Sequence, residues 1–208
     1  MSVTDPTSSP AHLAPGTWHI DPFHSSVNFR IPHLFFGRVR GRFDEFGGTV
    51  EIGDRPQEWR VEAHAIVASL NSGFRARDQR LLGPEILDVA SYPQIGFSGE
   101  GLEPHGDEWR LPGTLSLHGS DQPVVFSLSW RGAEPDQQSP DERNANFFVH
   151  TTISRSAFGI TAGPPMPTGA SPIGEEIELE LEISLLTYDP QPLLDQFRSG
   201  EHTNPSEH

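Results

Sequence analysis

Apolar and polar residues alternate along most of the chain, with the period of two that is typical of half-buried β-strands. In the first such stretch, Phe29 and Ile31 alternate with Asn28 and Arg30. The last stretch, residues 176–185, is the most regular and carries Glu at every second position as far as Glu182. A strand of this kind turns one face to a core and the other to water. The pattern therefore predicts an antiparallel all-β protein.

Similar stretches between these two predict roughly eight to ten strands joined by turn-forming residues. Residues 74–88 are the exception, because their apolar residues are spaced for a helix rather than a strand. Gly83 and Pro84 interrupt this segment, and Pro is well placed as the first residue of a new turn. We expect one short helical segment here, the only convincing one in the chain, and a short helical turn at residues 156–160.

This set of strands suits either an antiparallel sandwich or a closed up-and-down barrel, and alternation alone does not separate the two folds. Closure is favoured because the Glu-bearing last strand would otherwise be a long exposed edge. An Arg ladder at residues 38–42 is also opposite in charge to the Glu ladder at residues 178–182. We expect a closed antiparallel β-barrel of about eight strands with the two ladders facing each other outside it, although two separate solvated faces would give the same pattern.

Both ends of the chain lack this alternation and are rich in Pro, Ser, Asp and His. Such composition is typical of segments that do not pack. We therefore predict a disordered tail at residues 1–16, a single barrel domain at residues 17–187, and a mostly disordered tail at residues 188–208.

Composition excludes several functions. Acidic residues outnumber basic ones by 29 to 14, for a net charge of −15, so a nucleic-acid backbone would be repelled. The absence of Cys rules out disulfides, thiolate metal sites and a Cys nucleophile. No apolar run approaches the ~18 residues of a transmembrane segment, and the N-terminus lacks the basic and apolar regions of a signal peptide. The expected location is the cytoplasm.

Candidate catalytic and metal-binding residues are few. The His residues show neither an HExxH motif nor a close pair on one strand face, so we expect no metal and no cofactor. His24 and Ser25 would point to opposite faces of an extended strand, whereas Ser26 lies on the His24 side. Nothing marks a third catalytic residue or an oxyanion hole. A hydrolase or isomerase that uses His24 and Ser26 at the rim of the barrel is the alternative to a binding protein.

Four segments in order resemble the YceI-like family of lipid-binding barrels, which have a lipocalin-like shape. They are WHIDPFHSSVNFRIPHL at residues 18–34, FRARDQRLLGPEILDVASYPQIGF at 74–97, LPGTLSLHGSDQPVVF at 111–126, and ISRSAFGI with IGEEIELELEISL at 153–160 and 173–185. The sequence departs from the family in lacking a signal peptide and in the Pro-rich connection at residues 161–174.

This resemblance implies an elongated barrel around an apolar tunnel, which binds, stores or transports an isoprenoid-type lipid without catalysis. The ligand would be a polyisoprenoid, an isoprenoid quinone or a similar long-chain amphiphile, and no other cofactor is expected. Dimers are usual among such relatives, so the resemblance further implies a homodimer. Transient contact with a membrane is a separate expectation.

Nine inward-facing apolar residues are the candidates for the tunnel wall, because each buried CH₂ of a ligand gains ~0.8 kcal/mol. They are Phe29, Ile31, Phe43, Phe97, Leu115, Leu117, Phe126, Phe147 and Leu181. The alternative is that they pack only against one another. Arg77 is the candidate for hydrogen bonding to a polar head group. Its alternative role is structural, with Arg77 or Asp78 tying the helix to the barrel end through Asp21 or His24.

Overall fold

The computed structural model describes residues 9–33, 37–135, 143–161 and 173–199. Within these residues, the strands are β1 (Gly16–Ile20), β2 (Ser26–His33), β3 (Gly37–Phe43), β4 (Phe46–Ile52), β5 (Arg60–Ile66), β6 (Leu70–Asn71), β7 (Gln94–Glu100), β8 (Glu103–His105), β9 (Glu108–Leu117), β10 (Ser120–Pro135), β11 (Arg143–Ser154) and β12 (Glu176–Leu186). The helices are α1 (Arg75–Leu82) and α2 (Gln191–Ser199), with short 3₁₀ turns at Pro10–His12, Pro56–Glu58, Val67–Ser69 and Ser156–Phe158.

These strands form one sheet that closes on itself. Hydrogen-bonded neighbours follow the order β1, β4, β5, β7, β9, β10, β11 and β12, and β12 pairs in turn with β1. The same edge of β12 also pairs with β2, opposite Glu178–Glu182, so β1 and β2 are two parts of one long strand. In the same way β3 continues into β4, and β6 continues β5. The result is the predicted closed eight-stranded antiparallel barrel with one short helix at residues 75–82.

The first long strand is broken at residues 21–25, where extra residues bulge out of the ladder. The Ser25 hydroxyl bridges this break, since it donates to the Ser184 carbonyl at 3.3 Å and accepts from the Ser184 N–H at 3.0 Å. Asp21 is buried, and its carboxylate accepts a hydrogen bond from the Phe23 N–H at 2.8 Å. Side chains thus replace the backbone hydrogen bonds that the bulge removes.

The charge ladders do not lie on neighbouring strands, because β2 separates β3 from β12. Arg30 of β2 contacts Glu180 at 2.5 Å and Glu178 at 3.7 Å. Arg38 of β3 reaches across β2 to Glu178 at 3.8 Å. The predicted direct pairing of the two strands was therefore wrong, since β2 pairs with β12 on one side and β3 on the other and places Arg30 between the two ladders. Solvent-exposed pairs of this kind are worth about 0–1 kcal/mol.

The structure describes parts of both segments predicted as tails, residues 9–16 and 188–199. Ser9 Oγ accepts a hydrogen bond from the Ala11 N–H at 3.3 Å, and the Trp18 indole donates to the Ala14 carbonyl at 3.0 Å. Helix α2 falls inside the segment predicted to be mostly disordered and is a second helix in the chain. Asp189 Oδ1 accepts from the Gln191 N–H at 2.9 Å at its start. Leu193, Leu194 and Phe197 have the spacing of one helical face, so the sequence carried a signal for this helix that the strand pattern overshadowed.

One end of the barrel, which we call the helix end, is covered by α1. The β9–β10 turn and the β11–β12 connection lie there too, because His118 contacts both the Tyr92 ring, at a centroid distance of 4.8 Å, and the Phe158 carbonyl, at 3.1 Å. Most of the Pro-rich connection at residues 161–174 lies outside the described residues. Among the described residues, no helix has the length and apolar character needed to cross a bilayer.

Candidate functional site

The barrel encloses an apolar cavity of about 240 Å³. Its wall includes Trp59 and Leu102 near the far end and Leu81 and Ile160 at the helix end, so the cavity extends along the barrel axis. Among the described residues, the polar or charged side chains on this wall are His64, Arg155 and Thr161. A cavity of this composition suits an apolar chain and offers a polar ligand few partners.

All nine residues predicted to form the tunnel wall line this cavity. They are Phe29, Ile31, Phe43, Phe97, Leu115, Leu117, Phe126, Phe147 and Leu181. The structure brings them together because residues two apart on a strand point to the same face, and closure turns that face inward.

The aromatic residues of the wall also pack against one another. The rings of Phe97 and Phe126 meet edge to face with centroids 4.9 Å apart, and those of Phe29 and Phe43 lie 5.7 Å apart. These side chains both line the cavity and contact one another. Their positions therefore fit a wall around a ligand as well as a core that packs only against itself.

Inward-facing glycines create the room in which these rings lie. A Cβ atom on Gly41 would stand 2.3 Å from Cζ of Phe29, which is its cross-strand partner. A Cβ atom on Gly99 or Gly113 would stand 2.7 Å or 2.6 Å from Cζ of Phe97. Because carbon atoms in contact need about 3.5 Å, only glycine leaves room for each ring in its observed position. Sequence analysis missed this role, although glycine at an inward position of an alternating strand was a visible signal.

Arg77 is not part of the cavity wall. Its Nε donates to Ser72 Oγ at 2.7 Å and its Nη2 to the Ser72 carbonyl at 2.6 Å. Asp78 Oδ1 accepts from the Ser72 N–H at 3.1 Å and from the Ser72 hydroxyl. Both side chains thus tie α1 to the chain that follows β6. The structural role considered for them fits this geometry, but the partner is Ser72 rather than Asp21 or His24.

The residues considered for catalysis lie on the wall of the barrel, at the break between β1 and β2, and not at its rim. His24 Nδ1 lies 2.6 Å from Oδ2 of the buried Asp21, and the His24 side chain is 78% exposed. Ser26 Oγ instead accepts a hydrogen bond from the Asn28 amide at 2.9 Å. The first strand therefore holds an Asp–His pair, whereas Ser26 is engaged elsewhere.

Arg155 is a buried charged residue on the cavity wall that sequence analysis did not identify. Its guanidinium donates to the carbonyls of Ile160 and Gly174, the latter at 3.2 Å, and to Glu175 Oε2 at 2.9 Å. These contacts join the end of β11 to the start of β12. A single Arg after the last alternating residue of a strand gives no pattern, so the sequence carried no signal for this role.

Glu175, the partner of Arg155, is held in its charged form. Hydrogen bonds from the hydroxyls of Ser154 and Ser156, at 2.6 Å and 2.5 Å, and from the Ser156 N–H lower the pKa of this carboxyl to about 2. The Arg155 charge contributes a smaller lowering of the same pKa. In the described part of the chain, no group of three His, Asp or Glu side chains is placed to hold a metal ion.

Comparison with known proteins identifies related chains. A YceI-like domain model matches residues 18–185. The curated YceI proteins of Salmonella newport and Salmonella arizonae are each 30% identical to this chain over 161 residues, covering 77% of this chain and 80% of the relative.

Solved structures show the same fold at lower identity. BcnA from Burkholderia cenocepacia superposes with a TM-score of 0.67 at 20% identity, covering 79% of this chain and 98% of BcnA. The Campylobacter jejuni YceI protein gives 0.63 at 20% identity, covering 76% and 91%. A polyisoprenoid-binding domain from Saccharophagus degradans, implicated in plant cell wall breakdown, gives 0.59 at 14% identity, covering 81% and 97%.

Proposed function

Because the chain belongs to the YceI-like family and its barrel encloses an apolar cavity, we propose that it binds an isoprenoid-type lipid in that cavity and stores or transports it without catalysis. The ligand is a polyisoprenoid, an isoprenoid quinone or a similar long-chain amphiphile. The observation that carries this proposal is the apolar wall that runs the length of the barrel. The Saccharophagus domain, named for polyisoprenoid binding, supports it.

The expected affinity follows from apolar burial. At ~0.8 kcal/mol for each buried CH₂, a five-carbon isoprene unit gains about 4 kcal/mol. Association costs roughly 4–15 kcal/mol in lost translational and rotational freedom. One unit therefore offsets only the lower end of this cost, whereas about four or more exceed the whole range and give net binding. A long chain explains the apolar wall better than a small apolar molecule does.

The size of the cavity limits the length of lipid that can enter without movement of the wall. Its volume of about 240 Å³ lies just below the ~300–1,000 Å³ of ordinary small-molecule sites. A lipid of several isoprene units therefore requires wall side chains to rotate as it enters. Phe29 and Phe97 are suited to such rotation, because each ring lies over a glycine, which has no side chain to hold the ring in place.

The decisive experiment is native mass spectrometry of the freshly purified full chain, combined with organic extraction. We expect a lipid of isoprenoid mass that co-purifies with the barrel or exchanges for an added isoprenoid quinone. Leu181→Trp fills part of the cavity and should lower lipid occupancy, whereas Val125→Trp on the exposed face of β10 should leave it unchanged. An empty protein that binds no added quinone would refute the proposal.

An enzyme remains the second candidate function, and the Asp21–His24 pair is the observation that favours it. A hydrolase or isomerase acting on a lipid-like substrate would use His24 as a base and Ser26 as a nucleophile. Ser26 would first have to release its hydrogen bond from Asn28. Turnover of a lipid ester that is abolished by Ser26→Ala, with lipid occupancy unchanged, would establish this alternative.

Three further properties stay predictions from the sequence. They are a cytoplasmic location, association into a homodimer, and the lack of any cofactor other than the bound lipid. Cell fractionation, sedimentation equilibrium, and absorbance with metal analysis of the purified chain test them in turn.

A further inference from the structure

Helix α1 and the turn that follows it separate the cavity from solvent at the helix end of the barrel. Leu81, Ile86 and Leu87 of this segment line the cavity. Phe74, Arg75 and Arg80 of the same segment are instead exposed to solvent. The segment thus has an apolar inner side above the cavity and an outer side that combines an aromatic ring with positive charge.

The outer side differs from the rest of the protein in charge. The chain has a net charge of −15, yet residues 75–80 contain three Arg and one Asp. Arg77 and Asp78 are both engaged with Ser72. Arg75 and Arg80 have no carboxylate within 4.0 Å among the residues that the structure describes. Their charge is therefore available to an external partner.

Phe74 adds an apolar group to this cationic surface. Its side chain is 61% exposed, the largest fraction among the exposed large apolar side chains of the described residues. One exposed Phe needs no explanation by itself. Next to two unpaired Arg side chains, however, it gives the combination of an aromatic anchor and basic residues with which peripheral proteins bind the interface of a bilayer.

We propose that this surface, formed by Phe74, Arg75 and Arg80, docks the barrel onto a bilayer that contains anionic phospholipid. Phe74 inserts among the acyl chains near the head groups, and the two guanidinium groups contact lipid phosphates. The negative charges on the rest of the barrel do not prevent this contact, because a Debye length of about 8 Å at physiological salt screens charges farther from the membrane.

Docking in this orientation places the helix end of the cavity against the membrane. Leu81, Ile86 and Leu87, which line the cavity in this segment, then lie between the cavity and the bilayer. A lipid can pass from bilayer to barrel there without crossing water. This consequence rests on the proposed lipid-binding function, whereas the docking surface itself does not.

Flotation of the full chain with vesicles tests the proposal. The vesicles contain phosphatidylcholine alone, or phosphatidylcholine with about one third phosphatidylglycerol. Because a basic residue near an anionic surface contributes about fivefold in affinity, we expect R75Q/R80Q to weaken binding to the anionic vesicles by about 25-fold. Phe74→Ser should weaken binding to the same vesicles severalfold, and raised salt should weaken the wild type.

Matched variants control for net charge and for exposed apolar area. R60Q/R110Q removes two exposed Arg residues near the opposite end of the barrel and has the same net charge as R75Q/R80Q. Val125→Ser removes an exposed apolar side chain from β10, which is 48% exposed. Both controls should bind like the wild type. Thermal melts of all variants verify that they are folded.

The outcomes separate docking from lipid binding. Equal weakening by R75Q/R80Q and R60Q/R110Q, or equal binding to both kinds of vesicle, overturns the proposed surface. A wild-type chain that carries lipid in mass spectrometry but does not float with anionic vesicles overturns docking and leaves the proposed function standing. Variants of Phe74 that instead change only the sedimentation mass of the protein would show that a second copy covers this face, and they also overturn the proposal.

Discussion

Replacement of Gly41 by Ala should push the Phe29 ring into the cavity and weaken both the fold and lipid binding. The new Cβ atom would stand 2.3 Å from Cζ and 2.7 Å from Cε1 of Phe29, where about 3.5 Å is needed. The ring must therefore retreat by roughly 1 Å or more. It is 6% exposed and packs against Phe43, and the free space next to it is the cavity that both rings line.

The expected cost can be estimated from two opposing effects. Overpacking a well-packed interior costs about 1–3 kcal/mol. Gly→Ala at a position with ordinary backbone geometry returns about 0.4–1 kcal/mol, because it restricts the unfolded chain. The net loss in the free energy of unfolding is then about 1–2 kcal/mol. For a domain of this size, each kcal/mol lowers the melting temperature by about 2–4 °C.

The assay is thermal unfolding by circular dichroism together with titration of an isoprenoid quinone. Gly96→Ala is the matched control, because its Cβ atom meets only Ser116 Cβ at 3.7 Å, an ordinary contact. Phe29→Leu in the Gly41→Ala background removes the clashing atoms and should recover stability beyond the sum of the two single changes. If Gly41→Ala melts and binds quinone like Gly96→Ala, the glycine does not determine the position of the ring.

Three further changes test other parts of the structure. Arg77→Ala should lower the free energy of unfolding in urea by about 1–2 kcal/mol through its lost bonds to Ser72 and leave quinone affinity intact; weaker affinity at unchanged stability would instead show a head-group contact. Arg155→Leu leaves the carbonyls of Ile160 and Gly174 without their donor and should cost about 2–3 kcal/mol in the same assay, and a loss below about 0.5 kcal/mol would contradict its role in joining β11 to β12. Glu175 has a pKa lowered from 4.5 to about 2 in the folded state, so its contribution is complete above about pH 4.5 and is lost as the pH falls towards 2. Melting temperatures of the wild type and Glu175→Gln should accordingly differ at neutral pH and converge in acid, and a constant difference down to pH ~2 would contradict this.

The alternation of apolar and polar residues was enough to predict the strands and the residues on their apolar face, whereas closure into a barrel needed the further arguments from the last strand and the charge ladders. On any strand, residues two apart share a face whatever the strand's neighbours are. Each strand with one apolar face must bury that face, so Phe29, Phe97 and Leu181 could be assigned to the interior before their partners were known. The helix at residues 75–82 was likewise predicted, because its spacing and the Gly83-Pro84 stop are local features.

Only the tertiary structure decided which residues meet across the barrel. Arg30 of β2 contacts both Glu180 and Glu178, and Arg38 of the β3 ladder reaches Glu178 only across β2. The sequence could not show this, because pairing order and register depend on contacts between residues about 150 positions apart. The contact of Ser25 with Ser184 is set by the same closure, whereas Arg155 meets Gly174 through the pairing of the consecutive strands β11 and β12. The role of the glycines that contact Phe29 and Phe97 could be assigned only from the tertiary structure. Each glycine is needed because an aromatic ring occupies the space that its side chain would fill. A local period specifies which face of a strand is buried, whereas the shape and the free space of the interior arise from all eight strands at once.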